Sequence, residues 1–468
     1  MKVRDCIQTM AVTVAAVILL SESCLGLCQV AGWKPSNNAL FPLTGHFDNP
    51  GPYGGYIAIL LAVCVSWAVP RLHSVRAGLF SSTALWITLI STFMGSIVLI
   101  GSLSRSAWAG FAIAMASFMF RNGLRRKAVL LISIALLLCI PVFLIKRESA
   151  IGRMHIWRIE SRVTAKNPWT GVGRGHGLGA YGLEQAVFFK EKERSETVKK
   201  VAGSPEYAFN EYLGIGMEHG VPGLLASMLL TCSVIGLLIH NKSPFAYGAI
   251  VYAVFAFGSY PLSLWRFRVL GFALIVSAIV SLFYNTKTVY IASASAGAIV
   301  LCLVWVCFRY DSLKQGNMEL SWRNISHFSG DTLYDDAIQE YESLYPELRL
   351  NYRFLYDYGH RLFEAGRYQD AITILKEGAS LSSDPMFHNI IGRCLEQAGQ
   401  YDEAEKEFIL SHYMVPGRLY PLVLLKEMYE RQGLYNESEA IVEEIRKIPI
   451  NPKNDTMKKL LRRAENHE

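Results

Sequence analysis

Charged residues are scarce in this chain. Asp, Glu, Lys and Arg make up 18% of its 468 residues, where soluble domains usually carry about a quarter. With 51% hydrophobic residues and a mean hydropathy of +0.24, the shortage argues against a soluble enzyme and for an integral membrane protein. Metal-ligand spacing is missing too. The cysteines (Cys6, Cys24, Cys28, Cys64, Cys139, Cys232, Cys302, Cys307 and Cys394) fall mostly inside apolar runs, which argues against a zinc site or a disulfide framework. HExxH, DxD, GxSxG and Walker signatures are absent, so no cofactor or metal is demanded. The formal charge of +7 is modest, and the basic residues sit in short loops. That distribution argues against a nucleic-acid partner.

What the chain has instead is apolar runs near the length that crosses a bilayer, roughly 20 residues. About nine are present, at 7–29, 54–70, 81–101, 104–120, 128–145, 221–239, 245–260, 266–284 and 288–308. The first lacks a small-x-small cleavage site and reads as a retained helix. Lys2, Arg4, Arg71, Arg76, Arg121, Arg125, Arg126, Lys127, Lys242 and Lys287 fall in alternate loops. Basic loops face the cytoplasm, so the pattern closes on nine spans with the chain after residue 308 outside. Segments 30–53, 101–104, 146–220 and 260–265 then share the outer face. The expected organisation is all-α: a transmembrane helix bundle over 1–310 with a long periplasmic loop at 146–220, helical repeats over 320–450, and a tail at 451–468.

The repeats show as Tyr-x-[Asp/Glu]-[Ala/Ser], recurring as YDDA at 334–337, YQDA at 368–371, YDEA at 401–404 and YNES at 435–438. Gly366, Gly399 and Gly433 precede the last three, and Pro385, Pro416 and Pro449 close the units. A period near 34 residues with this punctuation resembles tetratricopeptide repeats. Such an array either offers a groove to a protein partner or packs on its own membrane domain. It begins after the last span and is expected to fold by itself.

Residues 167–182 read NPWTGVGRGHGLGAYG and contain a literal Gly-x-Gly-x-x-Gly. A dinucleotide loop follows a strand; this one follows Asn167-Pro168-Trp169 on the outer face. The expectation is a compact loop whose backbone approaches a partner helix or an anionic group. The other outer segments carry the polar residues. His46 and Asp48 precede the second span and read as a turn. Arg105, among Ser102, Ser104 and Ser106, is an ionisable group at a span boundary, facing either a cavity or the headgroups. Arg153, Arg158 and Arg162 surround Trp157, as an interfacial helix or as a clamp for phosphate oxygens, which guanidinium geometry suits. Asn210, Glu211, Glu218 and His219 gather before the sixth span.

With these residues in view, the chain resembles the O-antigen ligase and O-antigen polymerase superfamily over roughly 40–285. The motifs are FDNPGPYGGY (47–56), SRSAW (104–108), GRMHIW (152–157), NPWTGVGRG (167–175) and NEYL…EHGVPG (210–223), in that order. The resemblance implies a bacterial inner-membrane, multi-pass glycosyltransferase that needs no metal. Its donor is an undecaprenyl diphosphate-linked glycan on the periplasmic side, and its acceptor is a glycan, a lipid A core or a protein. On that reading Arg105 and Arg153 stabilise the departing diphosphate and Glu211 is the base, with His176 and His219 behind it. Arg158, Asn210, His176, Gly173 and Gly175 hold substrate. Two departures stand out: members often carry more spans before the FDNP-like motif, and Phe209 occupies a position that is often His. The rival class is a non-enzymatic membrane protein, either a flippase or transporter of lipid-linked glycan or an anchor for the repeats. Charged motifs at one face and nearly clean span interiors favour surface chemistry over passage.

Overall fold

The computed structural model describes residues 3–76, 83–145, 147–282, 318–325, 334–449 and 454–465. Their regular structure is helical, and the one β contact among them is an isolated bridge between Asn38 and Phe41. They divide into two compact units. The first draws on Met1–Arg147, Phe209–Tyr212 and Leu224–Val306, the second on Glu148–Ala208, Leu213–Gly223 and Cys307–Glu468.

In the first unit α1 (Val3–Val30), α2 (Pro50–Arg76), α3 (Thr83–Gly101), α4 (Arg105–Arg121), α5 (Arg125–Ile145), α10 (Phe245–Phe257) and α11 (Trp265–Leu282) pack with the later part of α9 (Glu211–His240). α2 is the central element. It touches α1, α3, α4 and α10, and Ile57, Leu61 and Cys64 are buried along it. Eight of the nine expected runs coincide with these helices; the ninth, 288–308, lies outside the described residues. Among the described residues four helices are long and apolar enough to cross a membrane: Arg4–Val30, Pro50–Leu72, Thr83–Gly101 and Glu211–His240. The nine-span count is therefore not confirmed among the described residues. α4 and α10 stop at 17 and 13 residues, short of the roughly 20 that a perpendicular span requires.

The second unit holds α6 (Arg147–Lys166), α7 (Gly177–Glu191), α8 (Glu196–Val201) and the repeats. A short helix, α12, covers 318–325. The repeat helices are α13 (Tyr334–Leu348), α14 (Tyr352–Glu364), α15 (Tyr368–Leu381), α16 (Met386–Gln397), α17 (Tyr401–Met414), α18 (Tyr420–Arg431), α19 (Tyr435–Lys447) and α20 (Asp455–Glu465). Each tyrosine of the repeated motif opens a helix. Gly366, Gly399 and Gly433 each take φ near +75° after the preceding helix. In all three turns the next residue's N–H returns to a carbonyl five residues back at 2.9 Å, as in Arg367 to Leu362, Gln400 to Leu395 and Leu434 to Tyr429. This is the Schellman stop, which glycine adopts without a Cβ penalty. The small residue of the motif, Ala371, Ala404 or Ser438, is buried where helices meet.

The repeats are not a body of their own. α7 from the long loop lies against α15 and α17. A Cβ on Gly179 would collide with the backbone of Ser380, and one on Gly182 with Met414. Gln185 Nε2 donates to the Met414 and Gly203 carbonyls, at 2.5 and 3.0 Å. Ser383 Oγ donates to Pro205 O at 2.9 Å, and Arg353 pairs with Glu206 at 2.8 Å. The expected boundary near residue 310 thus separates residues that pack together.

A Gly179→Val exchange in the full-length chain should loosen this packing. The expected result is at least about ten-fold faster tryptic cleavage within 190–200. Unchanged cleavage would mean that the loop keeps its place without α15.

Candidate functional site

Glu22 sits two-thirds of the way along apolar α1 and is only 4% exposed. A carboxylate there must be paired. Its Oε1 meets His46 Nδ1 at 2.9 Å and Arg266 NH1 at 3.1 Å, and its backbone carbonyl accepts from Tyr53 Oη at 2.6 Å. Segment 44–49 is fixed for this by Gln29. The Gln29 Oε1 accepts from Thr44 and Gly45 N–H at 3.1 and 2.7 Å, and its Nε2 donates to Gly45 O at 2.9 Å. Phe47 anchors the segment between Tyr56 and Phe267, ring centroids 5.5 and 5.8 Å away. His46 Nδ1 thus faces the carboxylate, on a side chain that is 48% exposed.

The other helix ends at this end of the unit carry the expected residues. Arg105 opens α4, is half-buried and is engaged within the protein. Ser104, just before it, donates to Gly51 O at 3.1 Å and so joins α4 to the start of α2. Asn210 is buried, and its Oδ1 accepts from Tyr212 N–H at 3.0 Å, an N-cap contact for α9. Glu211 is buried too, with Oε1 accepting from Leu262 N–H at 2.5 Å. That backbone bond occupies one of the oxygens expected to act as base. Phe209 stacks edge-on against Tyr260 at 5.3 Å.

Arg153, Arg158, Gly173, Gly175 and His176 lie in the second unit. α6 carries Arg153, half-buried and engaged within the protein, and Arg158, exposed. Arg162 is not part of an open clamp, because Glu184 and Glu191 hold it at 2.6 and 2.8 Å. Between them His155 is buried, with Nε2 at 2.9 Å from Gln185 Oε1. Burial holds its pKa below the usual histidine range, opposed by the Gln185 bond.

The glycine stretch closes on a broken helix. Pro222 and Gly220, at φ +69°, interrupt α9, leaving backbone groups that the loop satisfies. Val172 N–H donates to Met217 O at 2.8 Å, Gly173 N–H to Glu218 O at 3.1 Å, and Val221 N–H to Pro168 O at 2.7 Å. At Gly171, φ +67°, any Cβ would strike the Glu218 backbone. Gly175 N–H meets the Glu218 carboxylate at 3.1 Å. The amides of Gly173 and Gly175 are thus bonded to a carbonyl and a carboxylate of this chain. His176 turns to α15, its Nδ1 3.3 Å from Ser380 O.

Sequence reasoning missed Glu22 and Arg266 and read His46 as a plain turn. The available signal was an ionisable residue inside the first apolar run.

Residues 90–228 match the family model described as O-Antigen ligase, and residues 331–409 match that of Anaphase-promoting complex, cyclosome, subunit 3. The first match takes in every expected site residue from Arg105 to Glu211; Glu22, His46 and Arg266 lie outside it. No curated protein matches the chain. Similar solved structures include "Crystal structure of MamA", 18% identical over 34% of this chain and 84% of that one, with a TM-score of 0.26. Another is the P58(IPK) TPR domain, 12% identical over 86% and 97%, with a TM-score of 0.23. Scores this low carry no argument. The chain thus combines apolar helices of membrane-spanning length, a region of O-antigen ligase type and tetratricopeptide-like repeats.

Removing Arg266 should leave the buried Glu22 carboxylate without its guanidinium partner. Arg266→Leu is expected to destabilise the chain by about 3 kcal/mol, and adding Glu22→Gln to recover most of that loss. Thermal unfolding in neutral detergent reads both. A double variant no more stable than the single would show that the charge pair is not the source of the effect.

Proposed function

We propose that the chain transfers or polymerises glycan from an undecaprenyl diphosphate-linked donor at the periplasmic face of the bacterial inner membrane. The observation that carries this reading is the O-Antigen ligase match, whose span 90–228 contains Arg105, Arg153, Arg158, Asn210 and Glu211. The alternation of basic loops supports a periplasmic position for both arginine-bearing segments and for the repeats.

In the reaction the bond between the anomeric carbon and a diphosphate oxygen breaks. The acceptor hydroxyl oxygen bonds to that carbon, its proton passes to a base, and the lipid diphosphate leaves. Arg105 and Arg153 stabilise the charge growing on the diphosphate oxygens, with Arg158 and Asn210 holding donor or acceptor. For the base, His46 has the better geometry. Glu22 orients its ring, whereas Glu211 has an oxygen bound to Leu262 N–H. Glu211 is the second candidate. The repeats brace the loop that bears Arg153, a role supported by the contacts of α7 with α15 and α17.

Arg105→Ala and Arg153→Ala should each lower transfer by roughly 30- to 1000-fold at matched protein level, the loss of about 2–4 kcal/mol of transition-state stabilisation. Lysine should restore only part, since an ammonium cannot reproduce the planar fork. Near-wild-type transfer by both lysine variants would remove the clamp. His46→Gln should cost on the order of 100-fold in transfer at matched protein level. Near-wild-type transfer would pass the role to Glu211.

A further inference from the structure

At the end of the first unit opposite Glu22, a cavity of about 590 Å³ opens between the helices. It is lined by the beginning of α1, the end of α2, the end of α4 and the turn joining α9 to α10. Arg4, Arg71, Arg121 and Lys242 line it against a single carboxylate, Asp5. Basic residues gather at one end of a membrane bundle on orientation grounds alone, so the charges by themselves make no site.

Two further observations do. Gln8 and Trp67, 6% and 2% exposed, both line the cavity. The Gln8 Nε2 and Trp67 Nε1 donors are buried without a hydrogen-bond partner. Leaving such donors unmet costs about 1–3 kcal/mol each, so a built-in acceptor is missing. Lys242 adds a third sign. It occupies the left-handed position after α9, φ +51°, where its N–H returns to Ile239 O and the N–H of Ser243 to Leu238 O. Glycine is the residue that adopts this conformation freely, yet the chain carries a cationic side chain there. The Arg71 guanidinium is already placed over the Trp67 ring, 4.3 Å from its centroid, and donates to Trp67 O at 3.0 Å. Arg4 donates to Asn241 O, tying α1 to the turn.

We infer that this cavity binds a phosphate-bearing anion, with Gln8 and Trp67 donating to its oxygens and the four cations balancing its charge. A phosphate offers several acceptors in one compact group, which suits two fixed neutral donors within a cationic wall. The chemistry is shared by a phospholipid headgroup and by a soluble phosphate. The site is independent of the transfer reaction and needs no activity to be seen.

The test uses the full-length chain in phosphatidylcholine nanodiscs, titrated with inorganic pyrophosphate, and a parallel series containing phosphatidylglycerol. The unfolding midpoint is followed in both. The variant is Arg121→Gln with Lys242→Gly, two exposed positions; the glycine relieves the backbone, so stability in pure phosphatidylcholine should be at least that of the wild type. A midpoint rise with phosphatidylglycerol alone identifies a headgroup, and a rise with pyrophosphate in phosphatidylcholine a soluble ligand. In either case the variant should bind at least about ten-fold more weakly. No rise with either probe, or an equal rise in the variant, overturns the inference.

Discussion

A carboxylate carried into an apolar helix has to be met, and the first unit is arranged around that requirement. Glu22 draws in the imidazole of His46 from the 44–49 segment, the guanidinium of Arg266 from the start of α11, and the Tyr53 hydroxyl from α2. Two stretches far apart in sequence, 44–53 and the start of α11, are thereby fixed to α1 at one end of the bundle, where α4 also begins with Arg105 and α9 with Glu211 after Asn210. The pairing has a chemical consequence. The same contact that satisfies the buried charge also orients the exposed His46 ring.

The second unit answers a different deficit. Gly220 and Pro222 break α9, and a broken helix leaves backbone groups that must find partners. The glycine-rich segment supplies them, with φ values open to glycine letting it approach the 217–221 backbone. Beyond that segment α7 runs along α15 and α17. The loop is therefore held at one end by a helix break and along its length by the repeats. A long loop carrying arginines is otherwise the element most free to move; here its position is set on both sides.

Much of this was legible in the sequence, and the rest was not for identifiable reasons. The tyrosine phase and the glycine stops are local signals, and they gave the repeat helices their limits. The glycine stretch was read correctly as something other than a dinucleotide loop, because no strand precedes it. Its partner was open, since the break at Gly220 and Pro222 looked like the plain start of a span. Glu22 and Arg266 are 244 residues apart, and no spacing rule reaches across that distance. His46 looked like a turn residue because its carboxylate lay in another helix. The packing of the loop on the repeats depends on surface shape at Gly179 and Gly182, which a period count does not carry. Among the described residues the nine-span count is not confirmed, since α4 and α10 are shorter than a perpendicular bilayer crossing.

The central claim is that this chain breaks a bond to a lipid diphosphate rather than moving an intact lipid-linked glycan. The direct measurement reconstitutes the purified full-length chain in vesicles with a radiolabelled undecaprenyl diphosphate-linked glycan and an acceptor. It follows free lipid diphosphate and glycan-bearing acceptor over time. The account predicts that the two appear together in equal amounts, one diphosphate released per glycan transferred. Donor that changes leaflet while its glycosyl–diphosphate bond stays intact would contradict it.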